Sequence, residues 1–290
     1  MRIVASGVIR KRHPAWNLAV VLAGLAFGLS GAARMQAPAD PDPALRPAPA
    51  GLTGDQVMAR VLERNKRQDA ELRRYLEVRT YEIRNTEGKV GAEEVVQVAF
   101  HSPDEKTFDT VSQHGSWVIR HLVFDRLISA EKETDSGREH HDSSISTANY
   151  KFTLLGKQDL GSRDCFVLQA TPRTRNKYLF KGKIWVDSRD FAIVRIAGQP
   201  AQKLSFWIHR IDFVREYRRI GGFWLPAQDT TCVDVRIYGK RVFTIGHQQL
   251  AVNGAIPSPL PQQSSARASA CGVVRGANAG VEEAQTNGRK

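Results

Sequence analysis

The densest grouping of metal-ligating side chains in this 290-residue chain is Glu139-His140-His141-Asp142, because imidazole nitrogens and carboxylate oxygens suit zinc or a related cation. The spacing argues against that use. Adjacent side chains diverge, no two histidines stand four residues apart on a helix, and the neighbouring serines describe a solvated loop. The eight histidines share no other pattern, so no metal site is expected. Hydrolysis would need an activated nucleophile or a paired acid and base, and the chain has no Gly-x-Ser-x-Gly elbow, no His-Glu-x-x-His and no motif around a cysteine. Asp187 and Asp190 are a carboxylate pair, but they bracket Asp187-Ser188-Arg189-Asp190, where aspartate does ordinary turn work. The expectation is a non-enzyme without catalytic residues or cofactors.

Three cysteines in an exported chain allow one disulfide and one free thiol. Cys165 and Cys232 fall in predicted strands and Cys271 lies beyond the last of them, so the pair internal to the fold is Cys165 with Cys232. That bridge is the lesser reading; the favoured one takes both as small, unbonded strand residues.

Export is read from the N-terminus. Arg2, Arg10, Lys11 and Arg12 precede the apolar run Leu18 to Leu29, which ends in Ser30-Gly31-Ala32-Ala33, small residues that a signal peptidase accepts. Residues 1–33 are expected to be a signal peptide, with an uncleaved anchor as the alternative. No cysteine follows the run to accept a lipid, and the basic residues do not form a twin-arginine signal. Losing residues 1–33 removes four positive charges and no negative ones, so the formal +12 falls to +8. A basic exported chain meets anionic membrane surfaces more readily than nucleic acid, and no phosphate-binding loop or basic-aromatic motif accompanies the charge.

The elements follow from periodicity. Residues 34–52 are a Pro/Ala-rich linker. Thr53-Gly54-Asp55-Gln56 fits a capping box, and Val57, Met58, Val61 and Leu62 then recur at helical spacing, predicting a helix that reaches Leu72 to Tyr75. Leu76 to Arg84, Glu94 to His101 and Lys106 to Ser112 read as strands. From Trp117 to Glu131 apolar residues point nearly all round a helix axis, as in a buried core helix or in a lid whose second face closes over a hydrophobic ligand. Lys132 to Thr147 is a polar loop. Strands resume at Lys151 to Leu155 and Asp164 to Thr171. Between Tyr178 and Pro226, hairpin follows hairpin: Lys183 to Val186 and Phe191 to Ile196 flank the acidic turn, and Gly221-Gly222 supplies the return before Phe223-Trp224-Leu225-Pro226. Along Trp207 to Tyr217 a period of two puts Trp207, Ile211, Phe213 and Tyr217 on a dry face and Arg210, Asp212 and Glu216 on a wet one, with Pro226 marking an edge or bulge. Thr231 to Tyr238 and Arg241 to Gln248 turn about Gly239-Lys240, and Val233, Val235 and Ile237 continue the dry face. Residues 253–290 are expected to be disordered.

Phe108 through Glu131, with Gly115-Ser116 entering the apolar helix, resembles the LolA-like family of outer-membrane lipoprotein-sorting proteins. So do Lys181-Gly182-Lys183-Ile184-Trp185-Val186-Asp187, Arg195-Ile196-Ala197-Gly198-Gln199-Pro200 and Ile220-Gly221-Gly222-Phe223-Trp224-Leu225-Pro226. The resemblance spans about Thr53 to Leu250, within a domain read as 53–252. It implies an α+β fold: a strongly curved antiparallel sheet, an unclosed barrel, whose concave apolar face is covered by helices. It implies a periplasmic carrier of lipid or lipoprotein acyl chains, served by inner- and outer-membrane sorting components, with no nucleic-acid partner. The lid would be Trp117 to Ile128. The expected cavity is lined by Val118, Leu122, Phe124 and Leu127 from the lid and by Trp207, Ile211, Phe213, Val233 and Val235 from the sheet. The alternative on the same fold is a non-catalytic envelope sensor or scaffold that binds a partner protein.

Overall fold

A computed structural model describes residues 45–256, except 104, 126, 130–143, 177, 204, 205, 207, 237 and 238, together with Cys271. The signal segment, most of the linker and tail, Trp207, Ile237 and the Glu139-His140-His141-Asp142 cluster lie outside the described residues. Helix α1 (Gly54–Glu71) starts at the predicted capping box: Thr53 Oγ1 accepts from the Gln56 amide at 3.2 Å, and Gln56 Oε1 accepts from the Thr53 amide at 2.9 Å. It stops at Glu71 because Leu72 is already extended and strand β1 begins two residues later.

Ten strands follow: β1 (Arg74–Asn85), β2 (Val90–His101), β3 (Glu105–Gly115), β4 (Tyr150–Leu160), β5 (Arg163–Pro172), β6 (Phe180–Asp187), β7 (Ile193–Pro200), β8 (Ile208–Ile220), β9 (Phe223–Val235) and β10 (Gly239–Val252). They form one sheet in the order β3-β2-β1-β10-β9-β8-β7-β6-β5-β4, antiparallel throughout. Each strand pairs with its neighbour in sequence except β3 with β4, and β10 also returns to pair with β1. The edge strands β3 and β4 do not meet among the described residues, so the sheet is unclosed.

The sheet curls. Arg163, at the start of β5, places its guanidinium 4.7 Å from the Trp224 ring on β9, and the Trp224 indole N–H donates to Asp190 at 2.8 Å. Those strands are four apart, about 19 Å on a flat sheet, so the contact requires the inner face to fold round α1. Under α1, Val57, Met58 and Val61 pack with Phe152, Leu168, Ile184 and Phe213. The turns are those the sequence predicts: Asp187 Oδ1 accepts from the Arg189 amide and Asp190 Oδ1 from the Ala192 amide, while Gly221 and Gly222 have φ of 54° and 89°. Pro226 lies at a register shift between β8 and β9, as a residue without an N–H should.

Two expectations are corrected. The outer face of β8 is not simply wet, because Val214 packs there with Val167, Trp185, Ala197 and Cys232, and Asp212 is itself buried beside Arg210 and Gln199. The disulfide joins Cys232 to Cys271, leaving Cys165 free and buried. Cys232 and Cys271 have their Cα atoms 5.5 Å apart, within the span of a disulfide, while Cys165 packs unbonded in the same cluster as Cys232. Burial pushes the Cys165 thiol up to about 12, with Asp187 and Asp164 adding to it.

Candidate functional site: the lid and the inner face

The segment after β3 covers the inner face of β1, β2 and β10. Gly115 makes the entry: its φ is 75°, and a Cβ there would stand 2.4 Å from the Gly91 carbonyl oxygen. Helix α2 (Trp117–Ile119) follows, capped by Ser116, whose Oγ accepts from the Ile119 amide at 3.4 Å. The chain then winds into a π turn at Arg120–Phe124 and is helical again at 125 and 127–129. A π turn inside a helix is costly and turns up at working positions. It rotates Val123 and Phe124 inward, where with Ile128 they pack on Tyr81, Ile83, Ala92, Val96 and Val98. Phe124 is fully buried between the Tyr81 and Phe243 rings, each at 5.8 Å, while His121 and Asp125 pair on the solvent side.

Of the nine residues expected to line one cavity, Trp207 lies outside the described residues and the other eight are not brought into one cluster. Phe124 and Leu127 belong to the lid cluster, and Val118 and Leu122 are half-buried outside it. Ile211, Val233 and Val235 pack with Ile208 near the upper ends of β8 and β9, and Phe213 joins the core under α1. Pairing runs Ile83, Phe243, Thr231 and Phe213 in one row across the inner face, so the lid cluster and the α1 core are neighbours on it.

Below that row the inner face changes character. Glu77 and Arg79 on β1, His247 and Gln249 on β10, Asp229 on β9 and Arg215 on β8 form a buried polar network. Arg79 Nε donates to Glu77 Oε1 at 2.6 Å, both side chains being 3% exposed. His247 Nδ1 lies 3.3 Å from Glu77 Oε2, and its Nε2 lies 3.5 Å from Asp229 Oδ2, an ion-pair distance without hydrogen-bond geometry. Arg215 Nη2 donates to Asp229 Oδ2 at 2.9 Å, and Gln249 Nε2 donates to Glu77 Oε2 at 3.1 Å and to the Pro226 carbonyl at 2.9 Å.

The electrostatics follow from these contacts. Burial alone would raise the Glu77 and Asp229 carboxyls, but Arg79 and His247 hold Glu77 at about 2, and Arg215 and His247 hold Asp229 at about 2. Burial acts to lower His247, yet Glu77 and Asp229 outweigh it and raise the imidazole above its ordinary value. Burial pushes the neighbouring Tyr217 phenol up to about 12 against the opposing pull of Arg215.

Sequence reasoning placed Tyr217 on the inner face and missed the network around it. A signal was present: read in steps of two, β1 gives Glu77, Arg79, Tyr81, Ile83 and β10 gives Phe243, Ile245, His247, Gln249. Each strand passes from apolar to charged or polar at the same level, and pairing Arg79 with His247 makes the two polar halves one. Among the described residues, no group of three or more His, Cys, Asp or Glu side chains could hold a metal ion.

The architecture is an unclosed antiparallel sheet with helices on its inner face, as expected from the sequence. No protein-family model and no curated protein matches the chain. Solved structures similar in fold include a DUF1329 family protein from Desulfovibrio piger, with 16% identity, coverage of 67% of this chain and 92% of that one, and a TM-score of 0.35. A LolA superfamily protein from Nitrosomonas europaea has 11% identity, coverage of 73% and 96%, and a TM-score of 0.33. A domain assigned to outer-membrane lipoprotein sorting from Vibrio parahaemolyticus has 12% identity, coverage of 71% and 94%, and a TM-score of 0.35.

Proposed function

We propose that this chain is an exported periplasmic carrier that holds lipid or lipoprotein acyl chains under the 117–129 segment for sorting toward the outer membrane. The observation that carries the reading is the lid's underside. Val123, Phe124 and Ile128 fill an apolar stretch of the inner face, occupying the place an acyl chain would take. Lifting three such side chains into water costs about 6 kcal/mol, whereas burying some fifteen methylenes returns up to about 12 kcal/mol. Exchange is thus favourable with ligand present and reversible after it leaves. In this reading the Ile208, Ile211, Val233 and Val235 cluster extends the acyl path beyond the lid. Residues 1–33 direct export, 34–52 are a spacer and 253–290 a tail. Among the described residues no helix is long and apolar enough to cross a membrane.

The test is native mass spectrometry with lipid extraction on protein purified from membrane-free periplasm, with uptake of a fluorescent acyl probe alongside. Bound lipid in defined stoichiometry is expected. Leu122 is half-buried and outside the lid cluster, so Leu122→Asp should keep the fold by circular dichroism and lose probe uptake. Protein that carries no lipid and takes up no probe would overturn the reading.

A second reading is a non-catalytic sensor or scaffold that binds a protein. It is favoured by Trp117 and Phe206, which are 69% and 71% exposed and lie two residues from Gly115 and Ile208, at the same end of the sheet. Large exposed aromatics are common anchors at protein interfaces. A lipid-free chain recovered in a soluble complex with one specific protein would favour this reading.

A further inference from the structure

We propose that His247, set between Glu77 and Asp229, is a proton-held stitch that closes the seam between β9 and β10 and loosens when the imidazole is neutral. The seam is visible in the pairing. The β9–β10 ladder ends at Gly246 opposite Gln228, yet β10 continues along β1 to Val252 and β9 continues along β8 to Phe223. Pro226 explains part of the parting, since it offers no N–H to a ladder. Beyond Gly246, side chains take over: Gln249 Nε2 reaches the Pro226 carbonyl at 2.9 Å, and His247 bridges Glu77 on β1 and Asp229 on β9.

The charges alternate across four adjacent strands as Arg79, Glu77, His247, Asp229 and Arg215. An imidazolium satisfies this order, with Nδ1–H toward Glu77 and Nε2 at ion-pair distance from Asp229. A neutral imidazole has one N–H, so one carboxylate would face a lone pair in a buried place. The groups facing His247 are Glu77 and Arg79 from β1, Asp229 from β9, and Arg215 with Tyr217 from β8; Glu94 on β2 shares the same face beside Tyr81. The two carboxylates are held at about 2 and stay ionised through the whole neutral range.

The sign of the pH dependence follows. A histidine raised in the folded state contributes fully below the unfolded value of 6.5, and its contribution is lost as pH rises through the folded value. The seam should therefore be tightest in mild acid and loosen toward alkaline pH. Arg79 carries the effect toward the lid, because its guanidinium lies 5.7 Å from the Phe108 ring, which packs in the lid cluster. That last step rests on the carrier reading; the stitch does not.

The experiment uses the full mature chain without added lipid. Imidazole NMR should show His247 titrating above 6.5. Hydrogen exchange from pH 6 to 9, corrected for intrinsic exchange, should show amides at 227–228 and 247–251 losing protection, by up to tenfold per pH unit beyond the His247 midpoint. His247→Gln should show no such pH dependence. A His247 midpoint at or below 6.5, or a flat protection profile in the unmodified chain, overturns the stitch. So does an equal pH slope in His247→Gln. If that variant does not fold, coincidence of the NMR and exchange midpoints in the unmodified chain decides the matter. Lipid binding does not enter either readout, so failure of the carrier reading leaves this result standing.

Discussion

Replacing Arg79 by methionine keeps a long apolar stem over Phe108 and removes the guanidinium that lies 2.6 Å from Glu77. Among the described residues, the Glu77 carboxylate, 2% exposed, would then keep His247 and Gln249 as partners. Breaking one side of a buried ion pair costs about 3–5 kcal/mol. The native carboxyl at about 2, against 4.5 when free, corresponds to a net stabilisation of roughly 3 kcal/mol, left after burial has opposed what its partners supply. That stability is present above pH 4.5 and is lost as pH falls toward the folded value of about 2, because the depressed group binds its proton more readily when unfolded. Arg79→Met should therefore lose about 3 kcal/mol at pH 7 in urea unfolding followed by circular dichroism, and its acid transition should begin at higher pH. Glu77→Gln combined with Arg79→Met should recover most of the loss, since no unpaired charge then remains buried. A loss under about 1 kcal/mol for the single variant, or a double variant as unstable as the single, would refute the electrostatic account of this network.

Three further outcomes test other parts of the structure. Cys271→Ser opens a link across 39 residues of sequence and should cost roughly 3–4 kcal/mol on the chain-entropy account, seen as a lower thermal midpoint that reduction of the native protein reproduces. Gly182→Ala places a Cβ 2.0 Å from the Ala197 carbonyl oxygen on the adjoining strand, so it should destabilise by more than about 2 kcal/mol in the same unfolding assay. Phe124→Ala empties the space between Tyr81 and Phe243 and should cost about 3–5 kcal/mol if the lid unfolds with the domain. A much smaller loss, with faster exchange confined to 117–129, would show that the lid opens on its own.

What the sequence determined by itself was local. Thr53 and Gln56 stand three apart and can only be a capping box, Asp187 to Asp190 can only turn a hairpin, and the alternation along β8 separates Phe213 from Asp212 by the pleat alone. With the family resemblance, that was enough for an unclosed antiparallel sheet with helices on one face. Tertiary structure decided which distant strands meet. The return of β10 to β1 pairs His247 with Arg79, and it brings His247 within reach of Glu77, 170 residues away. Glu77, Arg79, Asp229 and His247 each interrupt an apolar face on their own strand, and nothing local distinguishes such a residue from a solvated one. Cys271 likewise finds Cys232 by chain reach, which periodicity does not encode. Strand pairing and loop closure are non-local, so the buried network and the disulfide exist only once the sheet has curled and its last strand has come back to its first.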